Sequence, residues 1–370
     1  MKFAVITHVI HKKLDKKFLA YAPYVLEMNR WFKNVDEVKI VAPLEGNQSS
    51  KIAVAYEASQ LELKKIPRFS LISVAAIFKT IFRLPLLCWE IIKAMTWADH
   101  IHLRCPGNMG LLGCIMQIFF PSKPKTVKYA GNWDPASKQP WSYRLQKWIT
   151  SSTFLSKNIK VLVYGDWPKQ TKNIKSFFTA SFSETEIVKT EYKEIDGKIV
   201  FIFVGSLVEG KQPLYAIKVV ESLNKGGVNA FLNLYGEGPL KESLELYIKE
   251  NNLSTFVQIW GGIPLKYLKQ EYKNAHFSIL PSKSEGWPKA VAEAMFFNCV
   301  PIATAVSCVP WMLNYGKRGV ILNQNFEENI SNITRVIENP LAYKAMAKDA
   351  GQWSQKYTLE YFESEIRKLL

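Results

Sequence analysis

Residues 198–223, KIVFIFVGSLVEGKQPLYAIKVVESL, decide the fold. The apolar run Ile199–Val204 reads as a strand buried on both faces. It stops at Gly205, and Leu214–Leu223 then carries apolar residues at helical spacing. A strand, a glycine-bearing loop and a helix in that order predict a parallel sheet. The unit recurs: AFLNLYG (230–236) precedes a helix over Leu240–Lys249, FVQIWG (256–261) one over Leu265–Tyr272, and HFSILP (276–281) one over Ala290–Phe297. VPIAT (300–304) and GVILN (319–323) continue the alternation, and TLEYFESEIRKLL (358–370) reads as a terminal helix.

The same order holds upstream. KFAVITHV (2–9), VDEVKIVAP (35–43), HIHLRCP (100–106), TVKYAG (126–131) and NIKVLVYG (158–165) read as strands. LDKKFLAYAPYVLEMNRWF (14–32) reads as an amphipathic helix interrupted near Pro23, with further helices over Met109–Phe120 and Trp141–Leu155. At 370 residues the chain exceeds one ordinary domain. The expected architecture is therefore α/β, with two doubly wound Rossmann-like domains, 1–180 and 181–370, facing across a cleft at the C-terminal ends of their sheets. The polar stretch Gly165–Lys198 is the candidate linker, with FSETEI (182–187) as an ordered piece inside it.

Composition excludes other classes. With 48% hydrophobic and 22% charged residues the chain is neither disordered nor a small module. The apolar run after Met1-Lys2 leads into His11-Lys12-Lys13 rather than a cleavage site, so a cytoplasmic protein is expected. Five cysteines (88, 105, 114, 299, 308) without a CxxC pair argue for reduced thiols. His100, His102 and Cys105 are the one candidate metal constellation, and it lacks a further ligand.

Residues 1–180 hold 27 Lys+Arg against 11 Asp+Glu, whereas 181–370 hold 21 of each, so the whole +16 excess lies in the first half. Such a surface attracts anionic lipid, phosphate or nucleic acid. FSLISVAAIFKTIFRLPLLCWEIIKAM (69–95) is interrupted by Lys79, Arg83 and Pro85 and is not expected to span a bilayer. Two readings stay open for it: an interfacial helix, or a core helix exposing Lys79 and Arg83. The uncharged segment 105–122, with its glycines and prolines, is expected to be packed inside.

Gly205–Gln212 (GSLVEGKQ) nearly fits a phosphate-binding P-loop, but Gln212 stands where a magnesium-holding Ser/Thr belongs. Lys211 remains a point charge for a diphosphate. GEGP (236–239) offers a tight glycine turn before a helix. In PSKSEGWPKAVAEAM (281–295), Glu285 lies in a loop, Pro288 starts a helix, and Glu293 follows within it. Amides at a helix start hold anions, and carboxylates accept hydrogen bonds from hydroxyls. A diphosphate flanked by hydroxyl-rich groups is a nucleotide sugar. Taken singly, the two carboxylates also fit a helix-start charge pair or a glycosidase pair, and the latter leaves Lys211 without a role.

In joint order and spacing, VGSLVEGK, LYGEGPL, IWGGIP, LPSKSEGWPKAVAEAM and VPIAT resemble the donor domain of the retaining GT-B glycosyltransferases of family four (glycosyl transferases group 1). The resemblance implies that Lys211 neutralises the donor diphosphate and that Glu285 contacts the transferred sugar. It implies that Glu293 holds the ribose, that Gly286 and Trp287 offer backbone amides, and that Ile263 lies by the base. Gly205, Ser206, Gly236, Gly238 and Pro288 complete the donor set. Departures are Ser206 in place of an arginine, Asn298-Cys299 in place of a glycine, AVSCVP without paired glycines, HVIHKKLDKK without a glycine-rich loop, and AGNWDP without a histidine. No DxD pair is present, and neither a metal nor a resident cofactor is expected.

The sequence thus predicts a metal-independent retaining transferase that uses a nucleoside-diphosphate sugar as co-substrate. Its acceptor is a saccharide or lipid-linked saccharide of cell-surface polysaccharide assembly, of the capsule or O-antigen kind. His8, Arg104, Asn132, Trp133 and Asp134, at strand ends of the first domain, are the acceptor candidates. The basic half points to a peripheral position on the inner face of the plasma membrane. A nucleic-acid-binding protein and a non-catalytic nucleotide-sugar-binding partner are the alternatives; nucleic acid is not the expected ligand.

Overall fold

The computed structural model describes residues 1–15, 17–45, 53–67, 74–187 and 193–370, without the side chains of 74–79 and 81. Residues 69–73 and the Lys79 side chain of the apolar stretch, Lys16, and 188–192 of the polar stretch lie outside that description. The chain divides into two compact units, Met1–Phe177 with Phe362–Leu370, and Phe178–Tyr361.

In the first unit the strands are β1 (Lys2–Ile6), β2 (Lys12–Leu14), β3 (Lys17–Tyr21), β4 (Glu37–Pro43), β5 (Ala53–Ala55), β6 (Leu61–Ile66), β7 (His100–Cys105), β8 (Lys125–Tyr129), β9 (Ile159–Tyr164) and β10 (Ile174–Phe177). Its helices are α1 (Ala22–Phe32), α2 (Val74–Trp97), α3 (Asn108–Met116) and α4 (Trp141–Ser151). A parallel sheet runs β10-β9-β8-β7-β1-β4-β6. Strand order reverses between β1 and β7, which places the loops after these two strands at the switch point.

The second unit carries β11 (Ile199–Val204), β12 (Ala230–Tyr235), β13 (Val257–Gly261), β14 (Phe277–Leu280), β15 (Val300–Thr304) and β16 (Val320–Leu322). Between and after them lie α5 (Pro213–Lys225), α6 (Lys241–Glu250), α7 (Leu265–Asn274), α8 (Lys289–Phe296), α9 (Val309–Met312), α10 (Phe326–Ile337) and α11 (Pro340–Ser354). The sheet runs β13-β12-β11-β14-β15-β16, all parallel, and reverses between β11 and β14.

Residues 14–21 differ from the helix expected there. The described residues among them pair in antiparallel strands, β2 with β3 and β3 with β5. Pro23 does not interrupt a helix but opens one: its missing N–H is harmless in the first turn of α1. Strand β6 was not foreseen, because LELKKI mixes lysines into the alternation of a sheet edge. The terminal helix α12 (Leu359–Arg367) belongs to the second unit only through Tyr361. Phe362 packs on Phe177 at 5.6 Å, and Glu363 pairs with Arg30 and Lys33, which draws the last nine residues into the first unit.

Helix α2 runs unbroken through Pro85, burying Leu87, Ile91, Ala94 and Met95 against the sheet. Residues 105–118 pack as α3 and its flanks, as expected, whereas Phe119, Pro121 and Ser122 at the end of the uncharged segment are exposed. Among the described residues no helix is long and apolar enough to cross a membrane.

The strand alternation also dissolves the candidate metal constellation. His100 and His102 share one face of β7, where both bond the Thr126 hydroxyl at 3.0 and 2.9 Å and stack on Phe3. Cys105 faces the other way, 3.6 Å from the Cys114 sulfur. Among the described residues no three His, Cys, Asp or Glu groups are clustered to hold a metal ion.

Burial pulls the imidazoles of His11 and His100 down to about 4 and that of His102 further still. Such groups are neutral when folded but take a proton near pH 6.5 when unfolded. Stability is therefore flat above pH 6.5 and falls between pH 6.5 and 4, by up to about 1.4 kcal/mol per pH unit for each site. Urea unfolding at pH 7.5, 6.5 and 5.5 reads this slope; equal midpoints at all three values would refute it.

Candidate active site

Four loops at the C-terminal edge of the second sheet build the site. The first two touch through backbone. Leu207 N donates to Glu237 O at 3.0 Å, and Leu240 N donates to Leu207 O at 3.1 Å. A Cβ on Gly236 would stand 1.8 Å from the Gly205 carbonyl oxygen, and one on Gly238 would stand 2.3 Å from that of Leu207. Only glycine permits such contact. In the third loop Gly261 O accepts from Gly236 N at 2.9 Å, and Gly262 N donates to Glu237 Oε1 at 3.3 Å. Ile263 follows, half-buried against the core of the unit.

The fourth loop, between β14 and α8, lies across the switch point from the first. Lys283 N donates to Gly210 O at 2.9 Å and so ties the two together. Above that tie Lys211 Nζ and Glu285 Oε1 pair at 2.5 Å, with the glutamate side chain 8% exposed and the lysine 29%. A cation that rests on a nearly buried carboxylate is held in place yet stays open to an anion from the solvent side.

Gly286 is clamped from behind, its carbonyl accepting from Ser307 Oγ at 2.9 Å and Cys308 Sγ at 3.3 Å. Thr304 Oγ1 donates to Ser282 O at 2.5 Å. The Trp287 indole points inward, stacked on Trp353 at 6.1 Å and edge-on to Tyr357 at 5.7 Å, so the loop offers backbone there rather than a side chain. Pro288 caps α8. Ser206 is exposed beside the first loop.

Glu293 sits about one turn into α8 and accepts from Ser181 Oγ at 2.6 Å and from Tyr272 OH at 3.1 Å. Burial, and then the Glu293 charge, push the Tyr272 phenol well above its ordinary range. The structure therefore brings Lys211 and Glu285 together and gives Glu293 a separate, hydroxyl-lined setting. Ser181, Tyr272 and Ser307 escaped the sequence reading, since each meets the site only through long-range contacts and carries no local motif.

In the first unit His8 and Gly107 meet at the β1/β7 switch point, where a Cβ on Gly107 would come within 2.7 Å of the His8 ring. Arg104 is partly buried, paired with Glu27 at 3.0 Å and lying over the Tyr24 ring. Asn132 and Asp134 serve their own turn, accepting from Asp134 N and Ala136 N at 2.8 Å each. Trp133 is buried edge-on to Tyr129, its indole donating to Gln170. Lys147, which no sequence signal singled out, lies over the Trp133 ring at 5.2 Å, and burial draws its pKa down to about 8.

The four-loop stretch coincides with a family match: residues 184–353 fit the model described as Glycosyl transferases group 1. Residues 184–353 form a glycosyl transferases group 1 domain. The chain is 24% identical over 169 residues to the uncharacterized glycosyltransferase MJ1178 of Methanocaldococcus jannaschii, across 45% of this chain and 46% of that protein. It is 28% identical over 146 residues to the capsular polysaccharide biosynthesis glycosyltransferase CapH of Staphylococcus aureus, across 38% of each. The chain spans about half the length of the curated relatives it matches. In fold the likeness covers the whole length. Anabaena Alr3699/HepE, solved in complex with UDP, superposes with a TM-score of 0.68 at 13% identity, over 99% of this chain and 98% of that one. The fold is GT-B, with one Rossmann-like parallel sheet in each unit.

The loop contacts make a sharp contrast between two glycines. Gly236→Ala should lower stability by at least about 2 kcal/mol through backbone overlap, whereas Gly210→Ala, with open space around it, should stay within about 1 kcal/mol of wild type. Equal urea midpoints for the two variants would show that the first and second loops do not touch.

Proposed function

We propose that the second unit binds a nucleoside-diphosphate sugar and that the enzyme transfers the sugar with retention of configuration. The observation that carries this is the Lys211–Glu285 pair at the β11/β14 switch point, inside the group 1 domain. The donor diphosphate meets the Lys211 ammonium, which leans away from Glu285 toward the leaving phosphate as charge develops there. Glu285, released from part of that pairing, accepts from hydroxyls of the transferred sugar. Glu293 accepts from ribose hydroxyls in exchange for its Ser181 partner. Gly286 and Trp287 supply amides, with the Gly286 carbonyl pinned behind them. Gly205, Ser206, Gly236 and Gly238 shape the floor under the diphosphate, and Ile263 packs by the base.

No carboxylate is assigned as a covalent nucleophile. The leaving phosphate takes the acceptor proton, which gives chemistry without a divalent ion. Similarity to a capsule-assembly glycosyltransferase supports a saccharide or lipid-linked saccharide acceptor in cell-surface polysaccharide synthesis on the cytoplasmic side. In the first unit His8, at the switch point, is the leading acceptor contact; Arg104, Asn132, Trp133 and Asp134 support the loops around it.

Nucleotide release from a panel of UDP-, GDP- and ADP-sugars, with and without EDTA, tests the reading. One donor should be turned over at an unchanged rate in EDTA. Lys211→Ala and Glu285→Gln should each cut kcat/KM by a factor of about 100 or more, in the range of a lost charge-stabilising group. Turnover that survives in the double variant would remove these residues from the chemistry.

A further inference from the structure

Helices α2, α3 and α4 lie on one face of the first unit's sheet, with α3 packed against both neighbours. The outward side of α2 is not polar. Phe82, Leu86 and Trp89 are 84%, 53% and 55% exposed at i, i+4 and i+7, one straight stripe. The stripe continues to exposed Lys93, whose ammonium lies 4.9 Å from the Trp89 ring. Helix α4 repeats the pattern with Trp141, Arg144 and Trp148, the two indoles 59% and 63% exposed. Beyond it stands Phe154, 80% exposed, with the Lys157 ammonium 6.0 Å from its ring. Phe119, after α3, is also exposed.

A single outward leucine would carry no meaning. Here large apolar side chains recur along two helices of one layer, interleaved with Lys93, Arg144 and Lys157, in the half of the chain that holds the entire +16 excess. Aromatic rings that alternate with cations match the boundary of an anionic bilayer: rings enter the headgroup and acyl border, and ammonium and guanidinium groups meet the phosphates. A second copy of this chain would bring like charge against like. Nucleic acid would leave the Phe82, Leu86 and Phe154 side chains without apolar partners.

We propose that the outer face of α2 and α4 docks the protein on an anionic lipid bilayer, with Phe82, Leu86, Trp89, Trp148 and Phe154 in the interface. The helices lie along the surface and do not cross it. This docking does not depend on the donor-site assignment; it holds the first unit where a lipid-linked acceptor would be presented.

Flotation of the full chain with vesicles tests it, using phosphatidylcholine alone and phosphatidylcholine mixed with phosphatidylglycerol. The protein should float with the mixed vesicles, less so at high salt, and its tryptophan emission should shift to the blue. Trp89→Glu and Trp148→Glu should each weaken flotation by a factor of about 10 or more. Leu246→Glu, at an exposed leucine of the second unit, should leave it unchanged. Thermal melting confirms that each variant is folded. Absence of flotation with mixed vesicles, equal flotation of all variants, a dimer that Trp148→Glu dissociates, or binding of nucleic acid in place of vesicles would each overturn the proposal.

Discussion

The contact on which the glycosyltransferase domain depends is between two stretches of backbone. The loop after β11 and the loop after β12 press together so closely that the Gly205 carbonyl occupies the space a side chain at 236 would need, and the Leu207 carbonyl does the same at 238. Two backbone hydrogen bonds lock that approach. Once these loops are fixed, Gly210 is where the loop after β14 can attach through Lys283, and Lys211 is where Glu285 can reach it. The position of one charged pair thus descends from the absence of two methyl groups.

That pair has its own logic. A carboxylate that is 8% exposed would be costly alone, and the Lys211 ammonium offsets the cost. The same ammonium stays open to solvent on its other side, as the proposed role toward a donor diphosphate requires. Glu293 is held by the Ser181 and Tyr272 hydroxyls instead of by a cation, which is compatible with the ribose contact proposed for it.

Several departures from the family pattern turn out to be physically mild. Asn298, in the Asn298-Cys299 pair that interrupts the usual glycine, adopts φ +56°, a left-handed conformation that asparagine tolerates better than most residues. Ser307, in the segment without paired glycines, takes φ +52° and uses its hydroxyl to clamp Gly286. Ser206 leaves the first loop without a second cation, and no side chain in the described contacts of that loop replaces it. The first unit is less legible. Arg104 and Trp133 fall at strand ends, where ligand contacts are common, but both are consumed by packing, and only long-range partners such as Glu27 and Gln170 reveal it.

The strand–loop–helix repeats, the parallel sheets and the order of the donor-loop motifs were determined by the sequence alone. Apolar runs, glycine positions and helical spacing are local properties, and they survive without knowledge of the partner. The antiparallel strands β2 and β3 and the edge strand β6 were not readable, because pairing with β5 and β4 outweighs the helical pattern and the lysines within them. The return of Phe362–Leu370 to the first unit was likewise decided by contacts across most of the chain length. Period-two alternation sends His100 and Cys105 to opposite faces once β7 is known to be a central strand. The charge excess was countable from the sequence, but which side of α2 and α4 faces water was settled only when the sheet claimed the other side, since a helix whose apolar residues run nearly all round does not announce which of them will be buried.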